Sequence, residues 1–514
     1  MPVNAVGRFI PEELGGRKLV PFKGAFKSKP SGYKGRTKIS YHKPGKSKIK
    51  RSIEDAIKAT GLKSGMTISF HHQLRNGDWI INMVMDKIAK MGIRNLTLGS
   101  RALFPVHKPL IDHIKKGVIT RIESSMNGPV GAAVGQGAML PNLAVLRSHG
   151  GRGRAIQADD LHIDVTFLGA SEADELGNCN GVHGKSAFGP LGPAWVDYQF
   201  ADKVVIITDN LVPYPATPIS IPGTHVDYVV QIDALGDPGG ILFGTTQITR
   251  SPARLLIADY VVEFLRSSEL LKDGFSFQAG AGGISLAVTK FLGDYMRDEN
   301  ITGSFAVGGS TKFVTDMLEE GTIRKVLDAQ CFDTTAINSL RDNPDHQEIS
   351  SDIFGNPHTK GCVTHVIDAA FLGATEVDTD FNVNVVTHSD GMLLHGIGGH
   401  ADAAAGAKIT FIAMPLFRKR IPVIRDKVTT VVAPGETIDV VVTERGIAIN
   451  PRRKDLIKKL KDRKDLPITT IKKLKQEAED LCGKPEPPQL TDEIVAYVEY
   501  RDGTVIDTIK KVKA

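Results

Sequence analysis

Apolar positions along the chain change their spacing at regular intervals. Residues 51–60 have the spacing of an amphipathic helix and precede an alternating apolar run within 62–72; a helical pattern over 251–268 likewise precedes an apolar run within 273–283. Alternation is typical of strands, and spacing of three or four residues is typical of helices. Strands that alternate with helices predict an α/β fold with mainly parallel sheets.

The same alternation continues downstream in both places. Residues 81–100 and 285–310 each predict a helix followed by a strand. In parallel α/β sheets, ligands bind at the carboxyl ends of the strands. We therefore expect functional residues in the loops that follow strands.

The chain contains an internal sequence repeat. Residues 163–181 and 367–385 are identical at ten of their nineteen positions, including an Ile-Asp pair, a Phe-Leu-Gly-Ala run and two asparagines. The duplication predicts two homologous domains with a site between them. The predicted divisions are an N-terminal arm at 1–50, a first domain at 51–250, a second domain at 251–483, and a linker with a terminal hairpin at 484–514.

Composition sets broad limits on function. The chain has 514 residues, of which 41% are hydrophobic and 24% charged, as in ordinary globular proteins. No run approaches the roughly 18 apolar residues of a membrane span, and the N-terminus lacks a signal-peptide core. The four cysteines lie far apart, so neither a disulfide framework nor a zinc knuckle is indicated. We expect a cytoplasmic protein.

Charge is concentrated at the N-terminus. Residues 1–51 carry a net charge of +12 in a protein whose total is +6. The arm lacks the interleaved aromatic residues of a nucleic-acid site, so we expect it to be solvated or to dock on an acidic partner such as a carrier protein. At the other end, alternating strands around Asp502-Gly503 predict a hairpin.

The second half has three glycine-rich loops, of which the first two come at the ends of predicted strands and the third precedes a small-residue stretch and another strand. Exposed backbone N–H groups in such loops can approach a ligand and bind an anion. The loops supply Gly280, Gly282 and Gly283; then Gly308, Gly309 and Ser310; then Gly398, Gly399 and His400.

The first half has histidine and arginine in the corresponding loops. The segment 70–78 supplies His71, His72 and Arg75, and the polar loop 148–154 supplies His149 and Arg152. Arginine pairs with carboxylates through two hydrogen bonds, so this set suits a small polycarboxylate. Adjacent histidines on a strand point to opposite faces, so we predict no metal site.

These motifs carry a family resemblance. The phrases at 173–178 and 377–382, with Gly-Gly-His-Ala-Asp at 398–402, resemble the coenzyme A transferase superfamily. Further motifs, among them SHGGR, FNVNVVTHSDG and YRDGTVID, resemble the citrate lyase alpha subunit family over residues 51–514 in order. Two coenzyme A transferase-like domains are the fold that this resemblance implies.

The resemblance also implies an activity. Citrate takes the place of acetate on an acetylated acyl carrier protein, with acetyl-coenzyme A as the other possible donor, and free acetate is released. A beta subunit then cleaves the citryl thioester to oxaloacetate and an acetyl thioester. The carrier is a gamma subunit with a phosphoribosyl-dephospho-coenzyme A arm, so this chain itself is expected to hold no cofactor. We expect the chain to form a homo-oligomer within the larger complex.

One family residue is missing. Many coenzyme A transferases use a catalytic Glu in a Ser-Glu-Asn-Gly phrase, where this chain reads Val-Gly-Gly-Ser at 307–310. We therefore expect a ternary complex without a glutamyl intermediate, with Gly308, Gly309 and Ser310 at the catalytic position. Gly280, Gly282, Gly283, Gly398, Gly399, His400, Asn178 and Asn382 are expected near the thioester, and the first-half histidines and arginines near the acid.

Asn178 and Asn382 also belong to the repeat, together with Glu172, Asp174, Glu376 and Asp378. Residues kept in both copies favour a shared structural turn over catalysis. Other functions stay open: a transferase for another di- or tricarboxylate such as citramalate, a sugar-phosphate isomerase-type enzyme, or a scaffold without catalysis.

Overall fold

Two large, mainly parallel sheets organise the protein. The computed structural model describes residues 3–38, 40–244 and 247–513. In the first sheet every neighbouring pair is parallel except the last. Its strands, in spatial order, are Ile49–Lys50, Tyr228–Gln231, Lys203–Thr208, Val165–Ala170, Thr67–Phe70, Leu96–Leu98, Ile119–Glu123, Ala144–Leu146, Leu490–Glu499 and Val505–Val512.

The second sheet is built from later residues and has one antiparallel pair. Its strands are His346–Glu348, Ile323–Cys331, Gly303–Ser310, Ser276–Ala279, Ala369–Leu372, Ile409–Ala413, Val440–Thr443, Gly446–Ile449 and Ile468–Thr469. The predicted α/β fold with mainly parallel sheets is confirmed. The exact domain limits stay predictions.

Helices connect the parallel strands. Each begins and ends where local chemistry allows: the Ser52 hydroxyl accepts from the Asp55 N–H at the start of Ile53–Thr60, and Gly61 ends it in the left-handed conformation at φ 73°. The α-helices are Ile53–Thr60, Ile80–Lys90, Leu110–Lys115, Pro129–Gly135, His149–Gln157, Trp195–Phe200, Pro252–Ser267, Gly283–Asp298, Lys312–Glu319, Thr334–Asp342, Ser351–Gly355, His400–Gly406, Lys454–Leu460 and Ile471–Cys482.

The sequence repeat forms the same small turn twice. Glu172–Asp174 pairs antiparallel with Cys179–Asn180 and parallel with Leu211–Val212. In the second half, Glu376–Asp378 pairs in the same two ways with Val383–Asn384 and Ile424–Arg425. The duplication is thus visible as equivalent three-stranded sheets.

The two halves share apolar packing. Val386, Leu393 and Ile397, from the second half of the sequence, are buried in the core formed mostly by the first half. The Gly128 N–H also donates to the Leu394 carbonyl at 2.9 Å. This shared core fixes the position of one sheet relative to the other.

The first part of the basic arm packs on the protein, so the arm is not solvated along its whole length. The Asn4 amide donates to the Ile506 carbonyl at 2.7 Å, and the buried Phe22 ring contacts Tyr500 edge-on at 4.9 Å. Arg17 pairs with the buried Glu123 at 2.6 Å. The arm thus pairs with an acidic residue of the chain itself, and it contacts the antiparallel strands Leu490–Glu499 and Val505–Val512 at their connecting turn.

Within the described residues, every helix is too short or too polar to pass through a bilayer.

Candidate active site

A cavity of about 550 Å³ lies where strand ends from the two sheets meet. Arg101 follows Leu96–Leu98 of the first sheet, and Gly280 follows Ser276–Ala279 of the second. Both sheets direct their carboxyl ends here, as parallel α/β architecture requires of a ligand site. The predicted site between two halves corresponds to this cavity.

Arg75 forms part of the inner wall. It is 8% exposed, and its Nη1 donates to the Ile241 carbonyl at 2.8 Å. The guanidinium also lies over the rings of Phe104 at 5.4 Å and Phe332 at 4.9 Å. Burial lowers the Arg75 pKa to about 10, so it remains a cation at neutral pH.

Arg101 also lines the cavity and is 4% exposed. Its Nε donates to His149 Nδ1 at 3.4 Å, and its Nη1 has no hydrogen-bond partner among the described residues. Burial, with the neighbouring Arg152 cation, lowers the Arg101 pKa to about 9. A buried cation with an unused donor favours an anionic ligand.

Three lining histidines are neutral. Burial lowers the pKa of His72, His149 and His400, to about 4 for His400. The His400 Nε2–H donates to the Gly373 carbonyl at 3.0 Å, which leaves Nδ1 as an acceptor without a partner among the described residues. These rings therefore offer hydrogen bonds, and the arginines supply the charge.

The predicted glycine loops line the cavity. Gly280, Gly282, Gly283, Gly308, Gly309, Gly398 and Gly399 all contribute. Gly282 precedes the sixteen-residue helix Gly283–Asp298, whose first turn has no side-chain cap. Its N–H groups are thus available to an anion or to a developing oxyanion.

Two of these glycines have steric reasons for lacking a side chain. Gly308 has φ 114°, a conformation that L side chains rarely adopt. A Cβ at Gly309 would lie 2.0 Å from Cε2 of Phe332. The ring that packs on Arg75 therefore needs glycine at position 309.

The described residues that line the cavity include no aspartate or glutamate. At the end of Gly303–Ser310, the Ser310 hydroxyl donates to buried Asp328 and does not line the cavity. The assignment of Ser310 to the catalytic position is corrected: Asp328 draws its hydroxyl into a buried network with Cys331 and His346.

Arg152 also lies behind the cavity wall. Its Nη1 and Nη2 donate to the two Asp197 oxygens at 2.8 and 2.6 Å, and Nη2 donates to the Gly99 carbonyl at 2.6 Å. Residues 149–157 are helical rather than a loop, because Ser148 caps the Gly151 N–H at 3.1 Å. The prediction that Arg152 binds the acid is corrected, since Asp197 already occupies its guanidinium. It supports the backbone that carries Arg101.

Three further predicted residues lie outside the cavity lining. His71 is within hydrogen-bond distance of the Gly169 carbonyl, with Nε2 at 3.0 Å, and is not part of the lining. Asn178 and Asn382 brace the repeated turns: each amide oxygen accepts a backbone N–H, from Gly223 at 2.8 Å and Gly435 at 2.9 Å. Their placement near the thioester is corrected to a structural one, as the duplicated pattern favoured.

Several of the residues that line the cavity were not among those predicted from the sequence. Arg101 follows a strand that was recognised, so the strand-end rule could have identified it. Gln278 precedes the glycine loop, and its Oε1 has no partner among the described residues. Arg254, Gln330, Phe332 and Arg418 have no signal in sequence spacing, because distant segments bring them together.

A histidine and two aspartates form a cluster with the spacing of a cation site. His162, Asp164 and Asp202 offer ligand atoms within 4.8 Å of one another. However, the Lys38 ammonium lies 2.5 Å from Asp202 Oδ2 and already neutralises it. The group lies outside the cavity lining.

Comparison with known proteins is consistent across sequence and structure. The family model described as "Citrate lyase, alpha subunit" matches residues 46–512. The citrate lyase alpha chain of Haemophilus influenzae is 48% identical over 91% of this chain and 93% of its own length, and that of Klebsiella pneumoniae is 49% identical over 91% and 92%.

Solved structures agree. A citrate lyase alpha subunit from Streptococcus mutans, in complex with citrate, superposes with a TM-score of 0.96 and 49% identity, covering 99% of this chain and 100% of that one. A Pseudomonas malonate decarboxylase in complex with malonate shares the fold, with a TM-score of 0.63 and 15% identity over 80% of this chain and 82% of that one.

Proposed function

The chain belongs to the citrate lyase alpha subunit family, and we propose that it exchanges the acetyl group of a thioester carrier for a citryl group. The carrier is an acyl carrier protein with a phosphoribosyl-dephospho-coenzyme A arm, or coenzyme A itself. The products are a citryl thioester and acetate.

The exchange needs two acyl transfers and no redox partner. An oxygen of one citrate carboxylate bonds to the acetyl carbonyl carbon, and the carbon–sulfur bond breaks to give a mixed anhydride and a thiolate. The thiolate then attacks the citryl carbonyl carbon, and the carbon–oxygen bond breaks to release acetate. Net charge and atoms balance, and no protein nucleophile takes part.

One observation carries this proposal: the cavity has buried arginines and no lining carboxylate among the described residues. Arg75 and Arg101 supply two buried positive charges for a polyanionic acid. A lining aspartate or glutamate would repel that acid and could form an acyl-enzyme, and its absence from the described lining favours direct attack within a ternary complex.

The glycine loops provide the second requirement. Negative charge develops on the acetyl carbonyl oxygen during attack, and backbone N–H groups can stabilise it. Candidates lie at Gly282 to Ile284 and at Gly308 and Gly309, all of which line the cavity. Loss of one such donor typically costs about 3 to 4 kcal/mol of transition-state stabilisation.

In this proposal the chain works with a gamma carrier and a beta subunit that cleaves the citryl thioester, within a homo-oligomeric part of a larger complex. It holds no cofactor of its own. The test is the purified chain with acetylated carrier or acetyl-coenzyme A and a panel of acids, without beta subunit. Citryl thioester formation specific to citrate supports the proposal; exchange with citramalate instead would reassign the acid.

Initial-rate kinetics test the order of events. A ternary complex predicts intersecting double-reciprocal plots when citrate and the acetyl donor are varied. Parallel plots, with a thioester adduct on the protein detected by mass spectrometry, would show a covalent intermediate instead.

A further inference from the structure

Two more arginines lie at the outer end of the same cavity. Arg254 and Arg418 both line it, and both are exposed, whereas Arg75 and Arg101 are buried. Arg254 comes from the first turn of Pro252–Ser267, and Arg418 ends the two-residue strand Phe417–Arg418. The cavity thus has an inner cationic pair from the first half and an outer cationic pair from the second.

The outer pair has no carboxylate partner within 4 Å among the described residues, in a protein where most arginines have one. The Arg418 Nη2 donates to the Ala374 carbonyl. Partial burial of this guanidinium, together with the charge of Arg254, lowers the Arg418 pKa. The nearby Glu376 is engaged elsewhere, with the Thr429 N–H at 2.8 Å. Two unneutralised cations facing one opening favour an anion with more than one charge.

The helix Gly283–Asp298 begins in the same cavity. Its first residues line the cavity, and no side chain caps them. An uncapped helix N-terminus and two guanidinium groups that line one cavity favour a phosphate ligand.

Two buried acceptors point to the rest of the ligand. Gln278 Oε1 and His400 Nδ1 line the cavity and have no partner among the described residues, and both residues are at least 91% buried. Carboxylates and phosphates act as acceptors at neutral pH, and citrate has a single hydroxyl donor for these two acceptors. These acceptors require N–H or O–H donors, such as the two amides of a pantetheine arm.

We propose that Arg254, Arg418 and the first turn of Gly283–Asp298 bind the phosphate groups of the thioester donor, while Gln278 and His400 accept hydrogen bonds from its amides. This assignment rests on the proposed function and adds to it. The cavity then separates its substrates: the acid binds to the inner arginines, and the phosphorylated pantetheine arm enters past the outer ones.

The test compares two acetyl donors that differ in phosphate. Acetyl-coenzyme A carries phosphates and amides, and S-acetyl-N-acetylcysteamine carries an amide without phosphate. We expect the Arg254→Ala/Arg418→Ala double variant to raise the KM for acetyl-coenzyme A tenfold or more, and to change the KM for the cysteamine donor and for citrate by less than twofold. An equal rise for both donors, or none for acetyl-coenzyme A, would overturn the phosphate site.

Arg420→Ala is the matched control. Arg420 is exposed, lies two residues from Arg418 and does not line the cavity. Arg420→Ala should leave the KM for both donors unchanged. Gln278→Leu should raise the KM for both donors, because both carry an amide; an unchanged KM for both would remove Gln278 from the assignment.

Binding measurements separate this proposal from the exchange reaction. By calorimetry, the wild-type chain should bind coenzyme A at least tenfold more tightly than pantetheine, and the double variant should lose that difference. This result would support the phosphate site even if no citryl thioester formed in the exchange assay. Equal binding of the two ligands by the wild type would contradict it. Acetylated carrier, assayed beside acetyl-coenzyme A, shows which source of phosphate the site serves.

Discussion

The Ser148 hydroxyl donates to Asp402 Oδ1 at 2.7 Å, across 254 residues of sequence. The other oxygen of Asp402 accepts the Gly150 N–H at 2.9 Å. Ser148 starts the helix that carries His149, and Asp402 follows His400 by two residues. A single buried carboxylate therefore holds together the strand-end loops of both halves, on either side of the cavity.

Asp402→Asn should loosen both loops. The amide nitrogen cannot accept the Gly150 or Ser148 hydrogen, and nearby Arg501 loses its counter-charge. We expect the free energy of unfolding to fall by about 1 to 3 kcal/mol and the exchange rate to fall with citrate and donor alike. Ser148→Ala, which keeps the carboxylate and the Gly150 bond, should cost less. Denaturant unfolding measures the first effect, and initial rates at equal concentrations of folded protein measure the second. A D402N protein with the stability and exchange rate of the wild type would contradict the role of Asp402 in joining the two loops.

Arg101→Gln should impair citrate use without unfolding the protein. Its loss removes a charge from the cavity wall and leaves no buried carboxylate unpaired, because Arg101 has no ion pair with a described residue. We expect the KM for citrate to rise by about tenfold to a hundredfold, in line with about 1.5 to 3 kcal/mol for a hydrogen bond to a charged group. A citrate KM equal to that of the wild type would exclude Arg101 from the acid site.

Arg152→Gln should instead lower the stability of the fold, and its effect on citrate use should follow from that loss. Asp197 is fully buried, and removal of its partner leaves its charge uncompensated. The expected loss is about 3 to 5 kcal/mol of folding free energy, as for other broken buried pairs. Thermal unfolding measures it. A stable R152Q protein with a selective defect in citrate use would restore Arg152 to the acid site.

Gly309→Ala and Gly282→Ala should differ sharply. The new methyl group at 309 would displace the Phe332 ring that packs on Arg75, whereas position 282 has open space within 4 Å. We expect Gly309→Ala to lower the Tm and raise the KM for citrate, and Gly282→Ala to keep the Tm and raise the KM for the donor. Equal unfolding temperatures for the two variants would contradict the steric account.

Stability should decrease between pH 6.5 and about pH 4 in part through His400. Burial lowers its pKa from 6.5 to about 4, so over this interval the unfolded chain binds a proton at His400 and the folded chain does not. The free energy of unfolding therefore falls as pH falls. His400→Gln can still donate to Gly373 but does not titrate, so denaturant unfolding at pH 7 and pH 5 should show a smaller loss for the variant. An equal loss would remove His400 as a cause.

Sequence patterns located much of this site because strand ends are local features. The alternating run before His72 and the glycines after Gln278 both place residues at the carboxyl end of a strand, and both line the cavity. Arg152 shows the limit: only the fold brings Asp197 to it, 45 residues away. The N-terminal arm shows the same limit, since its charge pattern carries no sign that Asn4 binds the backbone of Ile506.

Oxygen transfer in a single turnover tests the central claim most directly. The chain is mixed with stoichiometric acetyl donor and citrate labelled with ¹⁸O in its carboxylates, and the acetate is analysed by mass spectrometry. Direct attack through a mixed anhydride predicts that the acetate carries one oxygen from citrate. Unlabelled acetate, with the oxygen derived from the protein or from water, would contradict the ternary mechanism.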